Sequence, residues 1–188
     1  MKRHFILRFL DKVLEGIIPQ KWLWRIQRAV MNLMGHGTIM QHTKLTIRKA
    51  DYAGAPFSEV LCVVREKVVT TAFVDFIVDQ LQTETSAFGD FKYHEVGLGT
   101  DAAAVGDTAL QTTSGIARAT GSQTETDHDT YKSVGTITAD ATEAWTEHGL
   151  FNASSDGTLW DRTVFAAINV VSGNQVEFTF EGSFAAGG

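Results

Sequence analysis

Residues 91–110 read FKYHEVGLGTDAAAVGDTAL: a short apolar run, then Gly97-Leu98-Gly99, then an alanine-rich segment. The stretch has two readings. As a glycine loop cradling a phosphate it would belong to a nucleotide-binding fold; as a strand followed by a turn it would belong to an all-β protein. Spacing separates them. A dinucleotide fingerprint that begins at Gly97 and Gly99 needs its third glycine at position 102, which is Ala102, and the next glycine is Gly106. A phosphate loop of the other common type needs Gly-Lys-Ser/Thr, and the chain has none. The stretch therefore reads as a strand and a glycine turn, with Phe91 and Tyr93 on one face of a sheet.

Downstream the texture agrees. Strand-like runs at 91–96, 115–120, 131–138, 144–151, 159–170 and 175–184 are separated by turn residues. The last is the clearest, because Val176, Phe178 and Phe180 alternate with Gln175, Glu177, Thr179 and Glu181. Ser155-Asp156-Gly157 and Ser172-Gly173-Asn174 are read as hairpin turns. Several short strands at this spacing predict a β-sandwich or similar antiparallel fold.

Upstream, Gly54-Ala55-Pro56 marks a turn and 57–64 reads as an apolar strand with Cys62 inside it as a buried small hydrophobe. Between 65 and 82, Val69, Ala72, Phe73, Phe76, Ile77 and Leu81 share a helical face, which predicts one packed helix. The β-branched run Val68-Val69-Thr70-Thr71 keeps a strand open there. Residues 38–49 alternate in places, as an exposed strand or an extended connection would.

The N-terminus has a different character. Phe5, Ile6, Phe9, Leu10, Val13, Leu14 and Ile17 form the stripe of an amphipathic helix that Pro19 should end. Trp22, Leu23, Ile26, Val30, Leu33 and Met34 form a second, closed by Gly35 and Gly37. Charge divides at the same place. Residues 1–50 hold ten Lys or Arg against Asp11 and Glu15, a formal +8, and the other six basic and twenty acidic residues leave −14. A basic arm on an acidic body meets an acidic surface, which could be protein, membrane or nucleic acid. Large apolar residues dilute the basic ones, which disfavours nucleic acid. The stripe is read as burying itself against protein rather than lipid, although Trp22 and Trp24 would suit a membrane surface. Arg8, Asp11 and Lys12 interrupt the apolar run too early for a secretory signal or a spanning helix, so a soluble protein without an export signal is expected.

Chemistry-bearing clusters are few. One cysteine allows neither a disulfide within the chain nor a cysteine-based zinc site. In His94-Glu95 and Glu147-His148 the two side chains leave a strand on opposite faces, and Asp127-His128-Asp129 sits in a polar loop without EF-hand spacing. There is no Gly-x-Ser-x-Gly elbow and no placed carboxylate pair. The expectation is a non-enzyme with no catalytic residue, no cofactor and no metal.

The order of several segments resembles a family of small virion structural proteins of tailed bacteriophages. The segments are Arg65-Glu66-Lys67-Val68-Val69-Thr70, Phe76-Ile77-Val78-Asp79, Phe91-Lys92-Tyr93-His94 with Gly97-Leu98-Gly99-Thr100, and Asp107-Thr108-Ala109-Leu110. Further on come Glu147-His148-Gly149-Leu150-Phe151, Leu159-Trp160-Asp161-Arg162-Thr163-Val164-Phe165, Val176-Glu177-Phe178-Thr179-Phe180 and the closing Ala185-Ala186-Gly187-Gly188. The likeness covers 57–188. It implies a β-rich particle component, either a capsid decoration (cement) protein or a head or tail-fibre module.

The combined expectation is a mainly β protein: an antiparallel β-sandwich at 51–188 with one packed helix, and a basic amphipathic helical arm at 1–50. It would assemble in the host cytoplasm into the virion as a homo-oligomer, with a trimer among the options, on the major capsid protein or another virion protein. Phe5, Phe9, Leu10, Trp22, Trp24, Arg25, Ile26 and Arg28 are the expected partner-binding residues. A tail-fibre or neck adaptor is the nearest alternative, and a membrane-surface protein the alternative of another class.

Overall fold

A computed structural model of the chain describes residues 40–65, 68–82, 90–126 and 129–185. The chain falls into two units, residues 1–41 with 184–188 and residues 42–183, and the described residues belong almost wholly to the second. The helices expected at 4–18 and 22–34 lie outside the described residues.

The protein is mainly β. Its described elements are β1 (Met40–Ala50), β2 (Cys62–Arg65), β3 (Val68–Val69), α1 (Thr71–Gln82), β4 (Tyr93–Gly97), β5 (Ala119–Thr120), β6 (Ser122–Thr126), β7 (Thr130–Thr138), β8 (Glu143–Phe151), β9 (Leu159–Val170) and β10 (Gln175–Ala185). They make two five-stranded antiparallel sheets, the first in the order β2-β1-β10-β7-β6 and the second in the order β3-β9-β8-β4-β5. Residues 40–50, at the end of the stretch read as an arm, thus form a strand inside the first sheet.

Alternation builds the first sheet. Leu45 and Ile47 of β1 and Val176, Phe178 and Phe180 of β10 are fully buried on its inward face. Lys44 and Glu181 form an ion pair on the other face. The inward residues meet the second sheet: the Phe178 ring stacks on His148 of β8 at 4.6 Å, and Phe180 lies 4.8 Å from Trp160 of β9. Such pairs add to the burial of apolar area, which is the main stabilising term.

Consecutive strands that pair within a sheet (β1–β2, β4–β5, β6–β7, β8–β9) are separated by steps from one sheet to the other (β2–β3, β5–β6, β7–β8, β9–β10), while β3 and β4, with α1 between them, share a sheet without pairing. Ser155-Asp156-Gly157 closes the β8–β9 hairpin, with Asp156 and Gly157 both at positive φ. The turn at Ser172-Gly173-Asn174 corrects the hairpin reading. It is tight, with Gly173 at φ 90°, but β9 and β10 belong to different sheets and do not pair. The turn is a corner, because β10 finds its partners in β7 and β1. Asn174 fixes that corner. Its side chain accepts from the Val171 N–H at 3.0 Å and donates to the Asp51 carbonyl at 2.7 Å, while its own carbonyl accepts from Ala139. Ala139 follows β7, so the two neighbouring corners are tied to each other.

Three other expectations need correction. The helix begins at Thr71, not 65, because Val68 and Val69 pair with Arg162 and Asp161 of β9. Thr70 then serves as its N-cap, accepting from the Phe73 N–H at 3.2 Å. The strand expected at 57–64 is confined to Cys62–Arg65, and Cys62 is half-buried rather than sealed, since β2 is an edge strand. The run at 115–120 is strand only at Ala119–Thr120; ahead of it Gly115 and Ile116 give their N–H groups to the Thr113 and Ser114 side chains instead of a ladder.

α1 is seated by aromatic contact. Phe73 lies flat on Trp160 at 4.4 Å and edge-on to Phe91 at 5.2 Å, and Trp160 also meets Tyr131. Phe91 lies just before β4 rather than in it, so it packs into this cluster and does not share a strand face with Tyr93.

Candidate functional site

The expected partner-binding residues Phe5, Phe9, Leu10, Trp22, Trp24, Arg25, Ile26 and Arg28 lie outside the described residues. Within the described ones, the chemistry-bearing side chains gather on the middle strands of the second sheet, and they do so on both of its faces.

The sequence of β8 explains why. From Trp145 to Phe151 every residue is buried, so the strand is covered on both sides and its polar residues must find partners within the protein. Glu147 and His148 leave on opposite faces, as expected for neighbours on a strand. Facing them in register on β4 are Gly97 and Val96 respectively.

On the outward face Glu147 is fully buried and saturated. Its Oε1 accepts from the Gly99 N–H at 2.9 Å and the Thr112 N–H at 2.8 Å. Its Oε2 accepts from Arg162 Nε at 2.6 Å and the Gln111 N–H at 3.1 Å. Burial by itself would push this carboxyl up; the N–H of Thr112, the Arg162 guanidinium and the N–H groups of Gln111 and Gly99 together hold it below the usual carboxylate range. Arg162 reaches onward to Asp107 at 3.0 Å and to the Asp101 carbonyl at 3.1 Å. Thr146 donates to the Gly99 carbonyl at 2.8 Å. Loop 98–118 is therefore wrapped around one ion pair.

The glycines of the stretch acquire a specific reason. A Cβ on Gly97 would stand 2.7 Å from Glu147 Oε1, and one on Gly99 would collide with the same oxygen and with Gln111. Backbone N–H groups do cradle an oxyanion here, but it is the protein's own carboxylate.

A second clip lies beside it. Arg118 Nε pairs with Glu95 at 2.7 Å, and its guanidinium sits over the Phe151 ring at 3.4 Å. Its Nη1 donates to the Ala153 and Asp156 carbonyls at 2.9 and 2.6 Å. That side chain fastens the β8–β9 turn to the sheet.

On the inward face the two histidines meet. His94 Nδ1 and His148 Nε2 are 3.0 Å apart, and His94 Nε2 is 2.9 Å from Ser133 Oγ of β7; all three residues are fully buried. Only one of the two facing nitrogens carries the shared proton, so the tautomers of the pair are coupled. The chain gives way to fit the rings. A Cβ on Gly121, at the β5–β6 corner, would stand 2.7 Å from both His94 Nε2 and Ser133 Oγ, and one on Gly135 of β7 would collide with the His94 ring. Nearby, Asp161 accepts from Thr163 at 2.7 Å and from Thr43 of β1 at 3.5 Å, so polar side chains bridge the two sheets at several points.

This arrangement can hold loops and register: the facing atoms of Glu147 and Arg162, and of His94, His148 and Ser133, are bonded to one another on buried side chains. Among the described residues no group of three or more His, Cys, Asp or Glu side chains is placed to hold a metal ion, and Asp127 and His128 lie outside those residues. Sequence reasoning missed the Glu147–Arg162 and His94–His148 pairs. The available signal was Thr146-Glu147-His148 lying between Trp145 and Leu150, a polar triplet inside a strand with no alternation to explain it. Comparison with family models, with curated proteins and with solved structures returned no match.

Proposed function

We propose that the chain is a structural component of a tailed-phage particle, a capsid decoration protein whose β-sandwich body is held on the head shell by an N-terminal amphipathic helical arm. The observation that carries this reading is the charge division: +8 over residues 1–50 and −14 over the rest; with Lys44, Arg48 and Lys49 counted on β1 of the mainly β body, residues 1–39 still carry +5 against −11. Two further points support it. The order of segments over 57–188 resembles that virion family. The buried acids, bases and histidines of the body are engaged in holding its loops and sheets, which suits a particle component that must be rigid.

In this reading Phe5, Phe9, Leu10, Trp22, Trp24 and Ile26 bury apolar area against the shell or a sister subunit, at about 25 cal/mol per Å² before ordering costs. Arg25 and Arg28 orient the arm and speed encounter. The test is deletion of residues 2–34 followed by co-sedimentation with particles. The truncated protein is expected to stay in the supernatant, and undiminished binding would remove the arm from the account. Counting copies on labelled particles separates head from tail: decoration requires hundreds over the shell, a tail adaptor a few at one site.

A further inference from the structure

β2 borders the first sheet, and among the described residues no strand pairs with its open side. An open edge is a template for another strand, and proteins usually blunt it with charge or proline. This edge is apolar instead. Val60, Leu61 and Val63 are 43%, 50% and 39% exposed.

The run Glu59-Val60-Leu61-Cys62-Val63-Val64-Arg65 is complementary to itself when laid antiparallel about its centre. Glu59 falls opposite Arg65, Val60 opposite Val64, Leu61 opposite Val63, and Cys62 opposite Cys62. The register with β1 places Val63 beside Thr46 and Arg65 beside Lys44, on the face that carries the Lys44–Glu181 ion pair. By the period of two, Glu59 and Leu61 belong to that face as well once the run is extended. It would then hold two apolar cross-strand pairs between two opposite-charge pairs. Sliding the register by two residues one way sets Glu59 against Val63 and Arg65 against Phe57, and sliding it the other way sets Arg65 against Leu61 and Glu59 against Lys67. The Cys62-centred alignment is the one of the three that keeps the Glu59–Arg65 pairs and sets Cys62 against itself.

We propose that β2 docks edge to edge with β2 of a second copy, antiparallel about a two-fold axis at Cys62, joining the two five-stranded first sheets into one continuous sheet. The contact is isologous, so it closes as a dimer and does not propagate. A seven-residue edge is small beside a standard interface of roughly 1,600 Å², so pairing shows at high concentration or where copies are crowded. It stands independently of the virion reading.

Cys62, the chain's one cysteine, reports the alignment. Facing Cα atoms of an antiparallel pair are about 4.5–5.5 Å apart, within disulfide range. The full chain is oxidised with diamide, which takes up the two electrons and two protons released as the S–S bond forms, over a concentration series. Covalent dimer is expected, and Cys62→Ser abolishes it. E59R or R65E alone turns both charge pairs repulsive and lowers the yield about tenfold. An equimolar mixture of E59R and R65E restores opposite charges at both positions and is expected to give mainly the mixed dimer. That mixture also controls for folding, since each variant must be native to pair. No disulfide dimer, equal yields in every variant, or a mixture no better than its components overturns the proposal.

Discussion

At the scale of single residues, Glu147 is the side chain on which the outward face depends. Its side chain is fully buried and accepts four hydrogen bonds, one of them the ion pair with Arg162, so removing the charge leaves Arg162 and three N–H groups facing an uncharged group. Glu147→Gln is expected to cost about 3 kcal/mol in urea unfolding at neutral pH, the range for breaking one partner of a buried pair. The pH dependence has a definite sign. The folded-state carboxyl lies below the ordinary value of 4.5, so its contribution is present above that pH and is lost as pH falls through the folded value. Thermal melts from neutral pH down to the acid range should show the wild type losing stability below pH 4.5, with that part of the loss absent in Glu147→Gln. An identical acid profile in the two proteins would remove Glu147 from the account. The glycines that let the loop close on Glu147 were visible in the sequence, but only as a motif with the wrong spacing. Their reason is a close approach from a strand some fifty residues downstream, which no local pattern encodes.

At the scale of elements, legibility followed burial geometry. β1 and β10 alternate in sequence because one face is inside and the other outside; β10 was readable from that period, whereas 38–49 read equally as an exposed strand or an extended connection and was counted with the arm. β8 and β9 were readable as strands, yet the positions of Glu147, His148 and Arg162 within them were not, because burial on both faces erases the alternation. The corners were the hardest, since a turn's residues specify a reversal and not the sheet to which the next strand goes. Asn174 is the element-scale test. It ties the β9–β10 corner to Val171 and Asp51 through its side chain. Asn174→Ala keeps the turn's glycine but leaves both partners without their bonds, and is expected to lower stability by about 1–3 kcal/mol. Hydrogen exchange should locate the effect: faster exchange at Val171, Gly173 and Ala139, with the β8–β9 pairing little changed. Exchange rising uniformly over both sheets would mean that the corner is not a local unit.

At the scale of the whole molecule, the charge division and the proposed arm make separable claims about kinetics. Cations act at a distance and are screened over about 8 Å at physiological salt, so on the proposed reading Arg25 and Arg28 would govern how fast the chain finds an acidic surface. Aromatic and aliphatic side chains act only at contact, so on the same reading Phe5, Phe9, Leu10, Trp22, Trp24 and Ile26 would govern how slowly it leaves. Raising salt should therefore slow association of the full chain with particles by about tenfold while leaving dissociation nearly constant. Trp22→Ala should do the reverse, speeding dissociation at every salt concentration with little effect on association. Surface plasmon resonance on immobilised particles measures both rates. Dissociation that accelerates with salt as much as association slows would mean that charge, not apolar burial, holds the chain in place, and the division of labour within the arm would fail even if the arm itself is what binds.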